Sequence, residues 1–211
     1  MIFKLIPIRF AVFFCCLMNV FNVTGQEYQA PAQPQEVKPL FIGETIADKK
    51  LPDANGALVD LGQAFKNRPT ILVFYRGGWC PYCQVQLAGL QKAFASLDSI
   101  GYQVFAVSTD SPKNMSETIK KRKLSYTLLS DADLALAEHL GIAFVAPKNY
   151  HSFLTEASGG KNTRNLLPVP AVYILNKKGE IKFQHIDPDF KVRMGPELIL
   201  SVAKAYWPEV Q

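Results

Sequence analysis

Apolar residues follow two rhythms along this chain. Ile71-Leu72-Val73-Phe74-Tyr75 form an unbroken run opened by Thr70, as in a strand buried on both faces of a parallel sheet. From Cys80 to Leu97 the rhythm changes. Leu87, Leu90, Phe94 and Leu97 recur near helical spacing, so one stripe of a helix faces a core. The alternation then repeats. Tyr102 to Ser108 reads as a strand, and Ser111-Pro112 opens a helix in cap-then-proline order. Tyr126 to Leu129 is a short strand, and a helix through Leu134, Ala137 and Leu140 stops at Gly141. Ala171 to Leu175 is another buried strand, which Lys177-Lys178-Gly179 turns into Glu180–Ile186. Pro196 to Tyr206 closes with an amphipathic helix. Such alternation predicts an α/β domain with right-handed crossovers and helices on both faces of a central sheet.

The flanks read differently. Lys4 and Arg9 precede an apolar run, Phe10 to Met18, loosely extended by Val20, Phe21 and Val23. Asn19 and Asn22 interrupt it before the roughly 20 residues that a membrane span requires. Residues 1–25 are therefore expected to be an export signal, cleaved after Gly25; an uncleaved tether is the alternative. Residues 26–39 hold Pro31, Pro34 and Pro39 among polar residues and read as an extended linker. The folded domain is expected over 40–211. It opens with a small β element, a turn at Asp53-Ala54-Asn55-Gly56 and a short helix near Leu61 to Phe65. Between Phe144 and Leu167 little periodicity remains, so that stretch is read as a cover near the active site rather than a loose insertion. His151 within it is a candidate proton shuttle, though a solvated loop histidine is the simpler reading.

Composition narrows the function. The chain has 211 residues, 48% apolar and 19% charged, with a formal charge of +5. Loss of Lys4 and Arg9 with the signal lowers that charge by two. A small, dispersed positive charge does not point to nucleic acid. The densest cluster, Lys120-Lys121-Arg122-Lys123, ends a predicted helix, where cations complement the helix dipole.

The cysteines carry the chemistry. Cys15 and Cys16 lie in the export segment; Cys80 and Cys83 form Cys80-Pro81-Tyr82-Cys83. Strand, short link, CxxC and helix is the arrangement of a thiol–disulfide active site. Free N–H groups at the helix start stabilise a thiolate, the form that attacks disulfides and peroxides. A zinc site would need further ligands, and His139, His151 and His185 stand singly. No metal or cofactor is expected.

Phe74-Tyr75-Arg76-Gly77-Gly78-Trp79-Cys80-Pro81-Tyr82-Cys83 and Val169-Pro170-Ala171-Val172-Tyr173-Ile174-Leu175-Asn176-Lys177-Lys178-Gly179 resemble a known family. It is the peroxiredoxin-like branch of the alkyl hydroperoxide reductase/thiol-specific antioxidant family, and the likeness spans roughly 40–206. The resemblance implies a thioredoxin-like fold with a mixed central sheet. It implies a redox-active disulfide between Cys80 and Cys83. It also implies a cis Pro170 facing them, with Val169 offering backbone to a bound peptide. The departures are specific. Cys83 takes the peroxidatic cysteine's place, Cys80 that of the family's threonine, Arg76 that of its proline and Pro170 that of its strand arginine.

Two alternatives stay open for the sulfurs. Cys80, at the helix mouth beside Trp79, is expected to be the more exposed and to attack first, with Arg76 adding positive charge and Cys83 resolving. In the reverse order Cys83 attacks a peroxide and Cys80 resolves. Trp79 is expected on the contact surface. The expected function is an exported thiol–disulfide oxidoreductase or antioxidant, periplasmic if the cell has two membranes and secreted otherwise. Its partners would be protein disulfides or thiols, with an unidentified thiol electron donor. A thiol peroxidase acting through Cys83 and a non-catalytic binding module are the alternatives. Neither nucleic acid nor stable membrane insertion after cleavage is expected.

Overall fold

The computed structural model describes residues 28–211. The chain runs β1 (Lys50–Pro52), β2 (Leu58–Asp60), α1 (Leu61–Asn67), β3 (Thr70–Phe74), α2 (Pro81–Ile100), β4 (Gln103–Ser108) and α3 (Pro112–Arg122). It continues with β5 (Thr127–Ser130), α4 (Ala135–His139), β6 (Ala143–Val145), α5 (His151–Ala157), β7 (Leu166–Pro168), β8 (Ala171–Leu175), β9 (Ile181–Ile186) and α6 (Pro196–Val210). The expected export segment, with Cys15 and Cys16, lies outside the described residues. No helix among them is long and apolar enough to cross a membrane.

The unbroken apolar run becomes β3, the middle of a five-stranded sheet ordered β5-β4-β3-β8-β9. β3 pairs parallel to β4 and antiparallel to β8, so the sheet is mixed. Successive side chains of β3 point to opposite faces. Ile71, Val73 and Tyr75 pack with Leu87 and Leu90 of α2 and with Ile199 and Ala203 of α6. Leu72 and Phe74 pack on the other face with Leu61 and Phe65 of α1 and Leu136 of α4. Helices thus cover both faces, the thioredoxin-like arrangement.

Residues 28–39 are not a free linker. Tyr28 Oη donates to the Ala143 carbonyl at 2.7 Å, and the Val145 N–H donates to the Pro31 carbonyl at 2.9 Å. Lys38 and Leu40 donate to the carbonyls of Gly141 and Leu140. Proline suits such a strip, because its missing N–H leaves no donor unpaired on the outer edge. The aperiodic stretch 144–167 is also structured. It contains a 3-10 turn, Lys148–Tyr150, then α5 and β7, and β7 pairs antiparallel with β6. Elements this short show too few turns for a period to register.

Candidate active site

β3 delivers the chain to the site at its carboxyl end. After Tyr75 comes the Arg76-Gly77-Gly78-Trp79 link, then Cys80 at the N-cap of α2 and Pro81 at its first position. Two polar contacts fix the link. The Gly78 N–H donates to Asp110 Oδ2 at 2.6 Å, and Gln84 Nε2 donates to the Gly78 carbonyl at 2.7 Å. Gly77 leaves no room for a side chain: a β-carbon there would lie 2.1 Å from Trp79 Nε1. The link is therefore packed tightly, and it aims Trp79 and Cys80.

Both cysteines are free thiols in this structure, so it describes the dithiol and not the expected disulfide. Their exposure corrects the sequence reading. Cys80 is 1% exposed and Cys83 0%, so the helix mouth is closed. Trp79 packs against the apolar cluster that holds both sulfurs. It meets Tyr150 in a tilted contact at 5.7 Å and Phe153 edge-on at 5.1 Å, and Tyr82 meets Phe190 edge-on at 5.7 Å. Tyr150 and Phe153 come from the stretch read as a cover, and both pack on Trp79.

The sulfurs differ in charge rather than exposure. The Cys80 thiol is lowered to about 6, chiefly by the hydrogen bond from the Cys83 thiol. Burial opposes this; the Cys83 backbone N–H, Arg76 and Arg193 add to it. Cys83 is pushed well above the ordinary thiol range by the same hydrogen bond, by burial and by the Cys80 charge, with Arg193 opposing. The pair therefore loses its first proton near 6, from Cys80, and holds the second on Cys83. Because the first pKa is depressed on folding, the associated stability of the dithiol is present above the unfolded thiol value. It is lost as pH falls through about 6. Alkylation of the reduced protein by iodoacetamide should follow one ionisation with a midpoint near 6, mapped by mass spectrometry to Cys80. A midpoint near 9 would contradict this assignment.

Two arginines flank the dithiol. Arg76 is 4% exposed, and its guanidinium lies over the rings of Trp79, Tyr150 and Phe190 at 5.0, 4.9 and 4.4 Å. Its Nε has no hydrogen-bond partner. Arg193, on the loop before α6, directs Nη2 at Cys83 Sγ from 3.6 Å. Neither forms an ion pair with a carboxylate among the described residues. Both charges are left to act on the sulfurs.

Pro170 reaches the site but not as expected. It precedes β8, whose Ala171 pairs with Phe74 at the end of β3. It lines the same groove as Arg76. Its peptide bond is trans, since no cis bond occurs among the described residues. Pro170 lies in the short link between β7 and β8, whose ends are fixed by the pairing of Pro168 with Ala143 and of Ala171 with Phe74. Val169 cannot offer its N–H to a peptide: it is fully buried and already donates to the Ile142 carbonyl at 2.8 Å. His151 has a local role, its Nε2 lying 2.8 Å from the Ala146 carbonyl.

Arg193, Phe190 and Asp110 were not among the sequence candidates. Arg193 and Phe190 sit in a loop with no periodic signal. Asp110 lies just past the carboxyl end of β4, where α/β folds place functional groups, and that position was the available clue. Burial raises its carboxyl to about 6, partly offset by the Gly78 N–H, so it is largely ionised at neutral pH.

Comparison with known proteins agrees with this architecture. Over 170 residues the chain is 28% identical to Peroxiredoxin Bcp of Escherichia coli K12, covering 81% of this chain and 99% of that protein. Against chloroplastic Peroxiredoxin Q of Sedum lineare it is 24% identical over 181 residues, covering 80% and 88%. Two solved structures share the fold. Peroxidoxin BcpB of Mycobacterium tuberculosis superposes with a TM-score of 0.64 at 18% identity, covering 81% of this chain and 97% of that one. Peroxiredoxin Q of Xanthomonas campestris gives 0.62 at 20% identity, covering 80% and 97%. The AhpC/TSA family model matches residues 42–184, and the chain is accordingly a thioredoxin-fold oxidoreductase that belongs to the AhpC/TSA family.

Proposed function

We propose that this protein is a thiol peroxidase whose working group is the Cys80–Cys83 dithiol. The observation that carries the reading is a thiolate-forming Cys80 under an aromatic cover, with both sulfurs at 1% exposure or less. A small molecule can enter such a site, whereas a disulfide carried on a folded protein cannot reach a sulfur that lies below the surface. Curated relatives named as peroxiredoxins support the same choice.

Both electrons come from the dithiol, and one proton comes from solvent. The Cys80 thiolate attacks the outer peroxide oxygen, the O–O bond breaks, and the alkoxide leaves and takes that solvent proton to become alcohol. Cys80 becomes a sulfenic acid. The Cys83 sulfur then displaces hydroxide from it, giving the disulfide and water. Arg76 and Arg193 hold the negative charge that moves through the site. Two electrons from an external thiol donor restore the dithiol.

Thiol–disulfide exchange is the second reading, and the thioredoxin-like Trp79-Cys80-Pro81-Tyr82-Cys83 run favours it. Turnover assays separate the two. With dithiothreitol as donor, the peroxidase consumes hydrogen peroxide and cumene hydroperoxide catalytically. Rapid reduction of insulin disulfides with no peroxide consumption would reverse the choice.

The site of action is outside the cytoplasm, supported by Lys4 and Arg9 ahead of the Phe10–Met18 run. The periplasm is the destination in a cell with two membranes. Edman sequencing of the expressed protein should begin at Gln26; an intact Met1 in the membrane fraction would contradict export.

A further inference from the structure

A buried cation without a partner is costly, and Arg76 is one. In the dithiol state the Cys80 thiolate balances it, since Arg76 lowers that thiol. Oxidation to the disulfide removes the thiolate charge and leaves the guanidinium with aromatic faces alone. Arg76 also opens onto a groove of about 800 Å³. That volume lies within the range of small-molecule sites and far exceeds what hydrogen peroxide fills. Phe144, Val145, Tyr150, Pro168 and Phe190 give the groove apolar walls, and Lys148 and Lys191 add two further cations. Asp189 is the one acid among its lining residues. The groove is thus shaped for an anion of moderate size, and its need for one rises when the site is oxidised.

We propose that this groove docks the reducing co-substrate, a low-molecular-weight thiol that carries carboxylates, with Arg76 as its inner anion contact in the disulfide state. The proposal rests on the thiol peroxidase reading and names the electron donor's class. The donor thiolate attacks Cys80 Sγ, the sulfur whose ionisation Arg76 favours. The Cys80–Cys83 bond breaks, and the Cys83 thiolate leaves beside Arg193, 3.6 Å away, before taking a proton. A second donor thiolate attacks the mixed disulfide at the donor sulfur. Donor disulfide departs, and the Cys80 thiolate returns to balance Arg76. By linkage, an anion that prefers the disulfide form also stabilises it against reduction until its own thiol reacts.

The test starts from protein oxidised with diamide, so it does not depend on peroxide turnover. Stopped-flow tryptophan fluorescence follows reduction by glutathione and by uncharged 2-mercaptoethanol. In the Lys148→Gln/Lys191→Gln variant the glutathione rate should fall about tenfold, the scale of one lost ionic contact. The 2-mercaptoethanol rate and peroxide oxidation of the dithiol should stay unchanged. S-methylglutathione, which cannot reduce, should bind the disulfide form about tenfold more tightly than the dithiol, and Arg76→Gln should erase that difference. Equal loss with both thiols would overturn the proposal. So would S-methylglutathione binding that ignores redox state, or reduction by a protein dithiol alone. Failure of the peroxide step with the glutathione preference intact would instead count against the peroxidase reading.

Discussion

Serine at Cys80 is expected to stop peroxide turnover, lowering the rate by roughly 10³-fold or more, as loss of a nucleophile does elsewhere. Serine at Cys83 should act differently. Its hydrogen bond is the largest influence lowering Cys80, so the Cys83→Ser variant keeps the nucleophile but moves its ionisation up from about 6 toward the ordinary thiol value. The first attack still occurs. With no resolving sulfur, a sulfenic acid accumulates on Cys80 and is captured by dimedone at that residue. Turnover then persists only when an external thiol resolves it. The reverse order of attack makes the opposite forecast. Rapid oxidation of Cys80→Ser, with dimedone on Cys83, would reassign the roles and leave Arg193 as the nearest cation to the attacking sulfur.

Arg193→Met should give the next largest loss, about tenfold to a hundredfold in the second-order rate with peroxide. The guanidinium is the one side-chain cation whose donor contact to a sulfur is seen among the described residues. Its charge lowers both thiols. Removing it should raise the alkylation midpoint of Cys80, and each unit of that rise corresponds to about 1.4 kcal/mol of lost thiolate stabilisation. Arg193→Lys should restore part of both, since a point charge supplies the field without the fork of donors. A slower enzyme with an unchanged midpoint would mean that Arg193 only shapes the loop carrying Phe190.

The fold was legible wherever a period had room to repeat. Five residues of β3 and twenty of α2 carry their burial pattern in the sequence, and the alternation around them fixes the α/β class. Short elements escaped. β6, β7 and α5 have three, three and seven residues, and their identity comes from pairing and from packing on Trp79. The strip before Leu40 escaped for another reason. Proline-rich polar chain looks the same whether it hangs free or lies along an edge, and only the bonds to Ala143, Gly141 and Leu140 distinguish the two.

The site was legible in its chemistry and less so in its setting. The CxxC spacing named Cys80 and Cys83, and the strand end named Arg76 and Trp79. The family likeness implied a cis Pro170 facing the dithiol; its bond is trans, and Pro170 lines a groove with Arg76. Exposure could not be read locally, because Trp79, which packs on the cluster holding both sulfurs, is itself held by Tyr150 and Phe153, more than 70 residues away in sequence. Arg193 stands farther still from Cys83 in sequence. The strand arginine of the family is absent at Pro170, yet positive charge reaches the sulfurs from Arg76 and Arg193 instead.

A single-turnover reaction decides whether the dithiol reduces a peroxide by itself. Fully reduced protein is mixed with one equivalent of cumene hydroperoxide without any donor, and thiols, alcohol and protein mass are measured together. Two thiols should be lost and one cumyl alcohol formed per chain, with a mass decrease of about two hydrogens from a Cys80–Cys83 disulfide. Thiols that survive the peroxide, while a protein disulfide oxidises them readily, would contradict the peroxidase reading.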